Sequence, residues 1–412
     1  MEPSASRAQP PPTPPWQQVL QRQLAGLPEL RRRRLRSFEP GKASANLQAA
    51  GVPLLDLASN DYLGLSGHPA VIAAAQAAAA VEGVGAGASR LVSGSRPAHR
   101  ALEQALADWL GRERVLLFPS GFQANLAAVT ALADRHSLVL ADRLIHHSLL
   151  TGVRASGARL QRFGHNDLAD LERQLQTARP GQRRLVLSES LFSMQGTSPE
   201  VGALAALCHS HGAALLLDEA HALGVLGPGG RGLGHGFNGQ GGQPDIALVS
   251  GTLGKAFGSG GAFLAGDALV MEWLLQFSGP FRYTTALAPP LAAGALAALR
   301  QMQALERAGT PQGSALLERA GRWRDGLAAA GWPRPPGFGP ILPLLVGDAG
   351  LALELQHRLE AAGLLGVAIR PPTVPEGSAR LRLVLRHNLP SGSLERLLSA
   401  LGCPPQHNRP CS

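Results

Sequence analysis

Lys255 is the residue whose setting most needs a chemical explanation. It ends the stretch Ser250-Gly251-Thr252-Leu253-Gly254-Lys255, with Gly258, Gly260 and Gly261 close behind. The chain holds 38 basic residues against 29 acidic ones, and only Lys42 and Lys255 of those are lysines. An arginine stays protonated at neutral pH, whereas a lysine amine can lose its proton and attack a carbonyl. Amine chemistry therefore has two side-chain candidates, and Lys255 lies in a glycine-rich apolar stretch rather than a charge run. A solvated surface lysine is the plain alternative. The glycines would let a planar group approach the backbone.

Two further stretches stand at the ends of apolar runs. Asp218-Glu219-Ala220-His221 follows Ala213-Ala214-Leu215-Leu216-Leu217. A carboxylate there is a helix cap, a metal ligand or the partner of a buried cation. No phosphate loop with Gly-Lys-Ser/Thr precedes it, so a helicase-type ATPase is disfavoured. No ligand set completes a metal site with His221. Pro119-Ser120-Gly121-Phe122 marks a strand turning into a helix, which is either an ordinary cap or a phosphate-binding terminus. A lysine, a strand-end carboxylate and such a terminus together suggest pyridoxal phosphate (PLP). Its aldehyde needs an amine and its ring nitrogen an acidic partner.

These stretches need a sheet to bring them together. Apolar runs at Arg114–Phe118, Ser137–Ala141, Arg184–Ser188, Ala214–Asp218, Ile246–Ser250 and Gly261–Ala265 read as strands. Helical patterns such as Pro97–Leu110, Phe122–Leu132 and Pro199–Ser210 fall between them. This order predicts an α/β domain with a mainly parallel sheet, whose ligands sit at the strands' carboxyl ends. A long helix over 284–308 leads out of it. Helices at 316–330, 350–363 and 391–401, with strands at Ile341–Val346 and Arg380–Leu385, predict a smaller α+β domain. The expected division is an N-terminal tail and helical segment (1–50), a large domain (51–290), a small C-terminal domain (291–402) and a tail (403–412). Within the first segment, residues 1–15 read as disordered. Residues 16–38 read as one helix ending in Arg31, Arg32, Arg33, Arg34 and Arg36, a solvated end or a site for acidic substrate groups. Residues 229–234, Gly-Gly-Arg-Gly-Leu-Gly, read as a flexible loop rather than a phosphate cradle.

Composition narrows the class. Of 412 residues, 45% are hydrophobic and 16% charged, which excludes a disordered polyampholyte. The 50 glycines and 32 prolines have no fixed period. Cys208, Cys403 and Cys411 cannot build a disulfide scaffold. No secretory signal and no membrane span is legible, so a cytoplasmic protein is expected. The net charge of +9 would suit a nucleic-acid binder, but the arginine run has no interleaved aromatics, and no nucleic-acid partner is expected.

Six stretches, taken together, resemble the PLP-dependent α-oxoamine synthase family over roughly residues 16–402. They are Ser59-Asn60-Asp61-Tyr62-Leu63-Gly64, Arg90-Leu91-Val92-Ser93-Gly94, Ala141-Asp142-Arg143-Leu144-Ile145-His146, Glu189-Ser190-Leu191-Phe192-Ser193-Met194, Asp218-Glu219-Ala220-His221 and Thr252-Leu253-Gly254-Lys255. The stretch Ile369-Arg370-Pro371-Pro372-Thr373-Val374-Pro375, followed by Ala379-Arg380-Leu381-Arg382-Leu383, is similar to the family's 8-amino-7-oxononanoate synthase branch. The resemblance implies a fold type I transferase acting as a homodimer. It implies that Lys255 holds PLP, that Asp218 pairs with the ring nitrogen, and that His146 stacks over the ring. It also implies that His221 and Ser193 lie near the phenolic oxygen. Gly121, Phe122 and Thr252 would hold the phosphate, reached also by Thr284 and Thr285 of the other subunit. Arg370 is the expected clamp on the amino-acid carboxylate, with Asn60 and Thr373 in the substrate site and Arg32 near the acyl group. The single histidines His147 and His165 read as structural or surface-exposed.

The implied reaction is decarboxylative condensation of L-alanine with pimeloyl-CoA or a pimeloyl-acyl carrier protein, a step of biotin biosynthesis. Sister branches that join glycine to other acyl thioesters are the alternative within the class. A salt-sensitive nucleic-acid binder is the alternative outside it.

Overall fold

The computed structural model describes residues 14–41, 45–239 and 245–404. Lys42, residues 1–13 of the proline-rich start and the tail beyond 404 lie outside the described residues. The first helix, α1 (Pro15–Ala25), is much shorter than the predicted 16–38. Gly26 caps it and Pro28 cannot continue it. A single 3-10 turn covers Glu29–Arg31, and Arg32 is already extended. The arginines therefore leave the helix and run over the surface.

A small ribbon follows, which the sequence reading did not anticipate: β1 (Glu39–Pro40), β2 (Asn46–Ala49) and β3 (Val52–Asp56), paired antiparallel. Helices α2 (Pro69–Glu82) and α3 (Pro97–Leu110) lead into the main sheet. Its strands are β4 (Arg114–Phe118), β5 (Leu138–Asp142), β6 (Arg159–Phe163), β7 (Arg184–Glu189), β8 (Ala214–Asp218), β9 (Leu248–Thr252) and β10 (Ala262–Gly266). The order is β4-β10-β9-β8-β7-β5-β6. Strands β9, β8, β7, β5 and β6 are parallel, and β10 runs against both of its neighbours. Helices α4 (Gly121–Leu132), α5 (His147–Ser156), α6 (Leu168–Leu175), α7 (Val201–Ser210), α8 (Ala268–Phe277) and α9 (Gly279–Arg282) cover it.

The apolar runs are continuous because both faces are buried. Along β8, Leu215 and Leu217 join one core and Leu216 the other. The pleat deals alternate side chains to opposite layers.

The long helix α10 (Pro289–Arg307) starts five residues later than the predicted 284. Pro289 and Pro290 offer no backbone N–H and fit only its first turn. Thr284 and Thr285 thus stand on an irregular lead-in. The C-terminal part carries α11 (Gln312–Ala329), β11 (Ile341–Gly347), α12 (Ala349–Ala361), β12 (Leu364–Leu365), β13 (Val367–Ile369), β14 (Ala379–Val384) and α13 (Ser393–Leu401). Strand β12 pairs with β3, which ties the early ribbon to this part. No described helix is long and apolar enough to cross a membrane.

Candidate active site

Register puts Glu189, Asp218 and Ser250 in one row at the carboxyl ends of β7, β8 and β9. Lys255 follows β9 by three residues and turns back toward that row. A cavity of about 220 Å³ opens there. Gly121, Phe122, His146, Asp218, His221, Thr252 and Lys255, all singled out from sequence, line it together with Asn125 and Glu189.

The Lys255 Nζ lies 2.9 Å from His221 Nε2, and His221 Nδ1 lies 2.6 Å from the Tyr62 hydroxyl. Burial lowers the Lys255 amine to about 8, against the opposing pull of Asp218 and Glu189. Burial also pushes His221 well below its ordinary value, helped by Lys255 and Arg382. Glu189 is driven well up, first by burial and then by Asp218. Asp218 accepts from Asn125 Nδ2 at 2.7 Å and from the Ala220 N–H at 2.9 Å.

At the other end of the cavity, Ser120 Oγ caps α4 by accepting the Gln123 N–H at 3.3 Å. The N–H groups of Gly121 and Phe122 belong to the first turn, which has no acceptor inside the helix. Thr252 Oγ1 is close by: a Cβ on Gly121 would stand 3.9 Å from it. The cap therefore leaves those two donors at the edge of the cavity.

Three needs of PLP meet three different partners here. Its aldehyde requires a buried amine, and Lys255 supplies one. Its phosphate requires backbone donors, and the start of α4 supplies them. Its protonated ring nitrogen requires acceptors; Asp218 provides one, and Asn125 Oδ1 is a buried acceptor with no hydrogen-bond partner. The residues present fit the cofactor.

Two of the glycines near Lys255, Gly258 and Gly261, are required by packing. Gly258 has φ +60°, and a Cβ there would stand 2.2 Å from Ser66 N. Gly261, at φ +93°, packs against Leu287. They allow the chain to fold tightly upon itself. Residues 229–234 likewise pack closely. The Gly234 N–H (2.6 Å) and Leu233 N–H (3.3 Å) cradle the Glu219 carboxylate, which also accepts from Ser190 Oγ at 2.5 Å. The loop binds an anion, but that anion is the protein's own side chain.

Several predicted residues lie outside the cavity lining. Arg370, the expected clamp, donates to the Leu30 carbonyl and lines a separate groove of about 920 Å³ with Thr373 and Arg31–Arg34. Strand β13 ends at Ile369, so Arg370 sits beyond the strand and faces the arginine segment. Arg32 turns back to the Leu24 carbonyl at 2.8 Å, while Arg33 reaches Thr373 Oγ1 at 3.0 Å. Asn60 accepts from Arg382 Nη2 at 3.0 Å, and the Ser193 carbonyl accepts from Arg382 Nε at 2.7 Å. Arg382, buried on β14, thus bridges two predicted site positions, and sequence reasoning missed it. An arginine alternating with leucines in Arg380-Leu381-Arg382-Leu383 was the available signal. His165 is tied to Asp142 and Thr197, in keeping with a structural role.

The aminotransferase class I and II family model matches residues 52–401. An 8-amino-7-oxononanoate synthase of Stutzerimonas stutzeri is 45% identical over 351 residues, covering 85% of this chain and 88% of that one. Among solved structures, an 8-amino-7-oxononanoate synthase of Francisella tularensis matches with a TM-score of 0.71 at 27% identity, covering 84% of this chain and 96% of the other. A serine palmitoyltransferase of S. paucimobilis, solved with bound PLP and myriocin, matches with a TM-score of 0.84 at 27% identity, covering 93% and 96%. The strand-end carboxylate, the buried amine and these likenesses agree: the chain belongs to the PLP-dependent 8-amino-7-oxononanoate synthases of the class I and II aminotransferase family.

Proposed function

We propose that this cavity holds PLP on Lys255 and condenses L-alanine with a pimeloyl thioester. The products are 8-amino-7-oxononanoate, carbon dioxide and the free thiol of coenzyme A or of an acyl carrier protein. The observation that carries the reading is the buried Lys255 amine, hydrogen-bonded to His221 and facing the Asp218 row.

When bound, PLP supplies an aldehyde for amine exchange and a ring that accepts the electron pair left when a bond to the amino-acid α-carbon breaks. Asp218 would face the ring nitrogen and favour its protonated form. Gly121, Phe122 and Thr252 would hold the phosphate, His146 would stack on the ring, and His221 and Ser193 would serve the phenolic side.

Lys255 Nζ removes the alanine α-proton, which requires the neutral amine that burial favours. His221 accommodates either state of that amine. Its Nε2 accepts from an ammonium, or donates to a neutral amine while Tyr62 O–H donates to Nδ1. The α-carbon then bonds to the acyl carbon as the C–S bond breaks. Loss of the carboxyl group as carbon dioxide and return of a proton to the α-carbon complete the exchange.

Arg382 is the clamp favoured here for the alanine carboxylate, because it is close enough to Lys255 and His221 to act on both. Its guanidinium is fixed by Asn60 and Ser193 and lies close enough to Tyr62 to bond it. The arginine groove with Arg33, Arg32, Arg370 and Thr373 takes the anionic part of the acyl donor.

Thr284 and Thr285 follow Tyr283, which is 81% exposed, and Phe122 is 45% exposed. A second copy covering these residues fits a homodimer in which Thr284 and Thr285 reach the partner's phosphate. The reading places the enzyme in the cytoplasm, in keeping with free Cys208 and Cys403.

A matrix assay of L-alanine and glycine against pimeloyl, acetyl and succinyl thioesters tests it. L-alanine with a pimeloyl donor is expected to give the highest kcat/KM. Preference for glycine with a short acyl group would defeat the assignment.

A further inference from the structure

Two side chains to which the reaction scheme above gives no role, Asn125 and Ser148, link Asp218 to His146. Asn125 sits on α4 one turn after Gly121 and is 2% exposed. Its Nδ2 is 2.7 Å from Asp218 Oδ2 and 3.0 Å from Ser148 Oγ. Ser148 Oγ is 2.7 Å from His146 Nδ1, and the Ser148 backbone N–H donates to the same ring nitrogen at 3.3 Å.

Every link has a fixed direction. An amide nitrogen only donates, so Asp218 Oδ2 and Ser148 Oγ both accept from it. The Ser148 backbone N–H donates to His146 Nδ1, so that nitrogen is an acceptor and the Ser148 hydroxyl proton also points to it. Two donors then converge on Nδ1, which must carry the lone pair. The imidazole proton therefore sits on Nε2.

We propose that Asn125 is a positioning residue: its amide nitrogen orients the Asp218 carboxylate and, through Ser148, fixes His146 as the Nε2–H tautomer. The proposal rests on reading the cavity as a PLP site. The two ends of the chain need opposite treatment there. An ionised Asp218 keeps the ring nitrogen protonated, and a neutral imidazole stacks against a cationic ring where an imidazolium would repel it.

Other groups face the two ends. Lys255 and His147 act on His146 in the direction that burial does, downward, while Asp218 pulls it up. Glu189 faces His146 as well, accepting its backbone N–H. Asn125, with Ser148, thus couples Asp218 to His146.

Asn125→Leu, Ser148→Ala and Ser148→Thr separate the links. PLP affinity is measured by titrating apoprotein, and melting of the apoprotein reports the fold. Asn125→Leu is expected to weaken PLP binding by about tenfold or more, the worth of a hydrogen bond to a charged group. Ser148→Ala is expected to bind PLP within about threefold of wild type, because it leaves the Asp218 bond in place. Its acid limb of kcat/KM is expected to move up by roughly one pH unit, since Nδ1 loses a donor, and Ser148→Thr restores it. A purely structural Asn125 would lower apoprotein melting and leave the acid limb of Asn125→Leu where it lies in wild type. PLP affinity within threefold of wild type in Asn125→Leu, or an unmoved acid limb in Ser148→Ala, would overturn the proposal. If Asn125→Leu does not fold, Asn125→Ser, too short to reach Asp218, gives the same comparison. A wild-type chain that takes up no PLP would defeat the functional reading itself, and this inference with it.

Discussion

Replacing Arg382 with lysine separates the structural account of substrate binding from the one written in the linear motif. The guanidinium of Arg382 is held by Asn60 Oδ1 at 3.0 Å and the Ser193 carbonyl at 2.7 Å. In the proposed reading this fixed guanidinium binds the alanine carboxylate. Lysine keeps the charge but offers a point donor instead of a fork. At least one charge-assisted hydrogen bond is lost, worth ~1.5–3 kcal/mol. At ~1.36 kcal/mol per tenfold, kcat/KM for L-alanine should fall by roughly 10- to 150-fold. Most of the loss should appear in KM for L-alanine, with KM for the pimeloyl donor little changed. Steady-state kinetics of Arg382→Lys beside Arg370→Lys give the comparison, with thermal melting to show that both fold. The reasoning is refuted if Arg382→Lys stays within threefold of wild type while Arg370→Lys raises the KM for L-alanine.

Two more predictions concern groups away from the reacting atoms. Glu219 is raised to about 7, mainly by burial. Its folded value exceeds the unfolded one, so the stability it lends is full below about 4.5 and is lost as pH rises through about 7. Glu219→Gln, permanently neutral, should gain on wild type from pH 5 to pH 8 by an amount on the order of 3 kcal/mol. A melting difference constant over that range would contradict this. Arg33 donates to Thr373 at the edge of the arginine groove. Arg33→Ala should raise KM for the pimeloyl donor by roughly tenfold and leave KM for L-alanine alone; equal effects on both substrates would count against the groove.

The main sheet was legible because its strands are buried on both faces. Runs such as Ala214–Asp218 are apolar without interruption, and their ends fall where a carboxylate or a glycine turn begins. The early ribbon was not legible. Strand β1 has two residues, and β2 is half-buried throughout, so neither shows a period. The first helix was read too long because arginine favours helix, while Gly26 and Pro28 decided where it stopped.

Within the site, residues next to a strand end could be found one motif at a time. Arg370 and Arg382 could not be ranked that way, since only the tertiary hydrogen bonds show that Arg382 reaches Asn60 and Ser193. Asn125 lies 93 residues from Asp218 in sequence. Nothing local to α4 announces that contact. It arises when β4 and β8 are brought into one sheet.

The most direct test of the account is the site of covalent attachment. Purified protein loaded with PLP is reduced with borohydride, digested and mapped by mass spectrometry. The account predicts one stable pyridoxyl label, on the peptide carrying Lys255, and its disappearance together with the visible absorption band in Lys255→Ala. A label on Lys42, or visible absorption unchanged in Lys255→Ala, would contradict it.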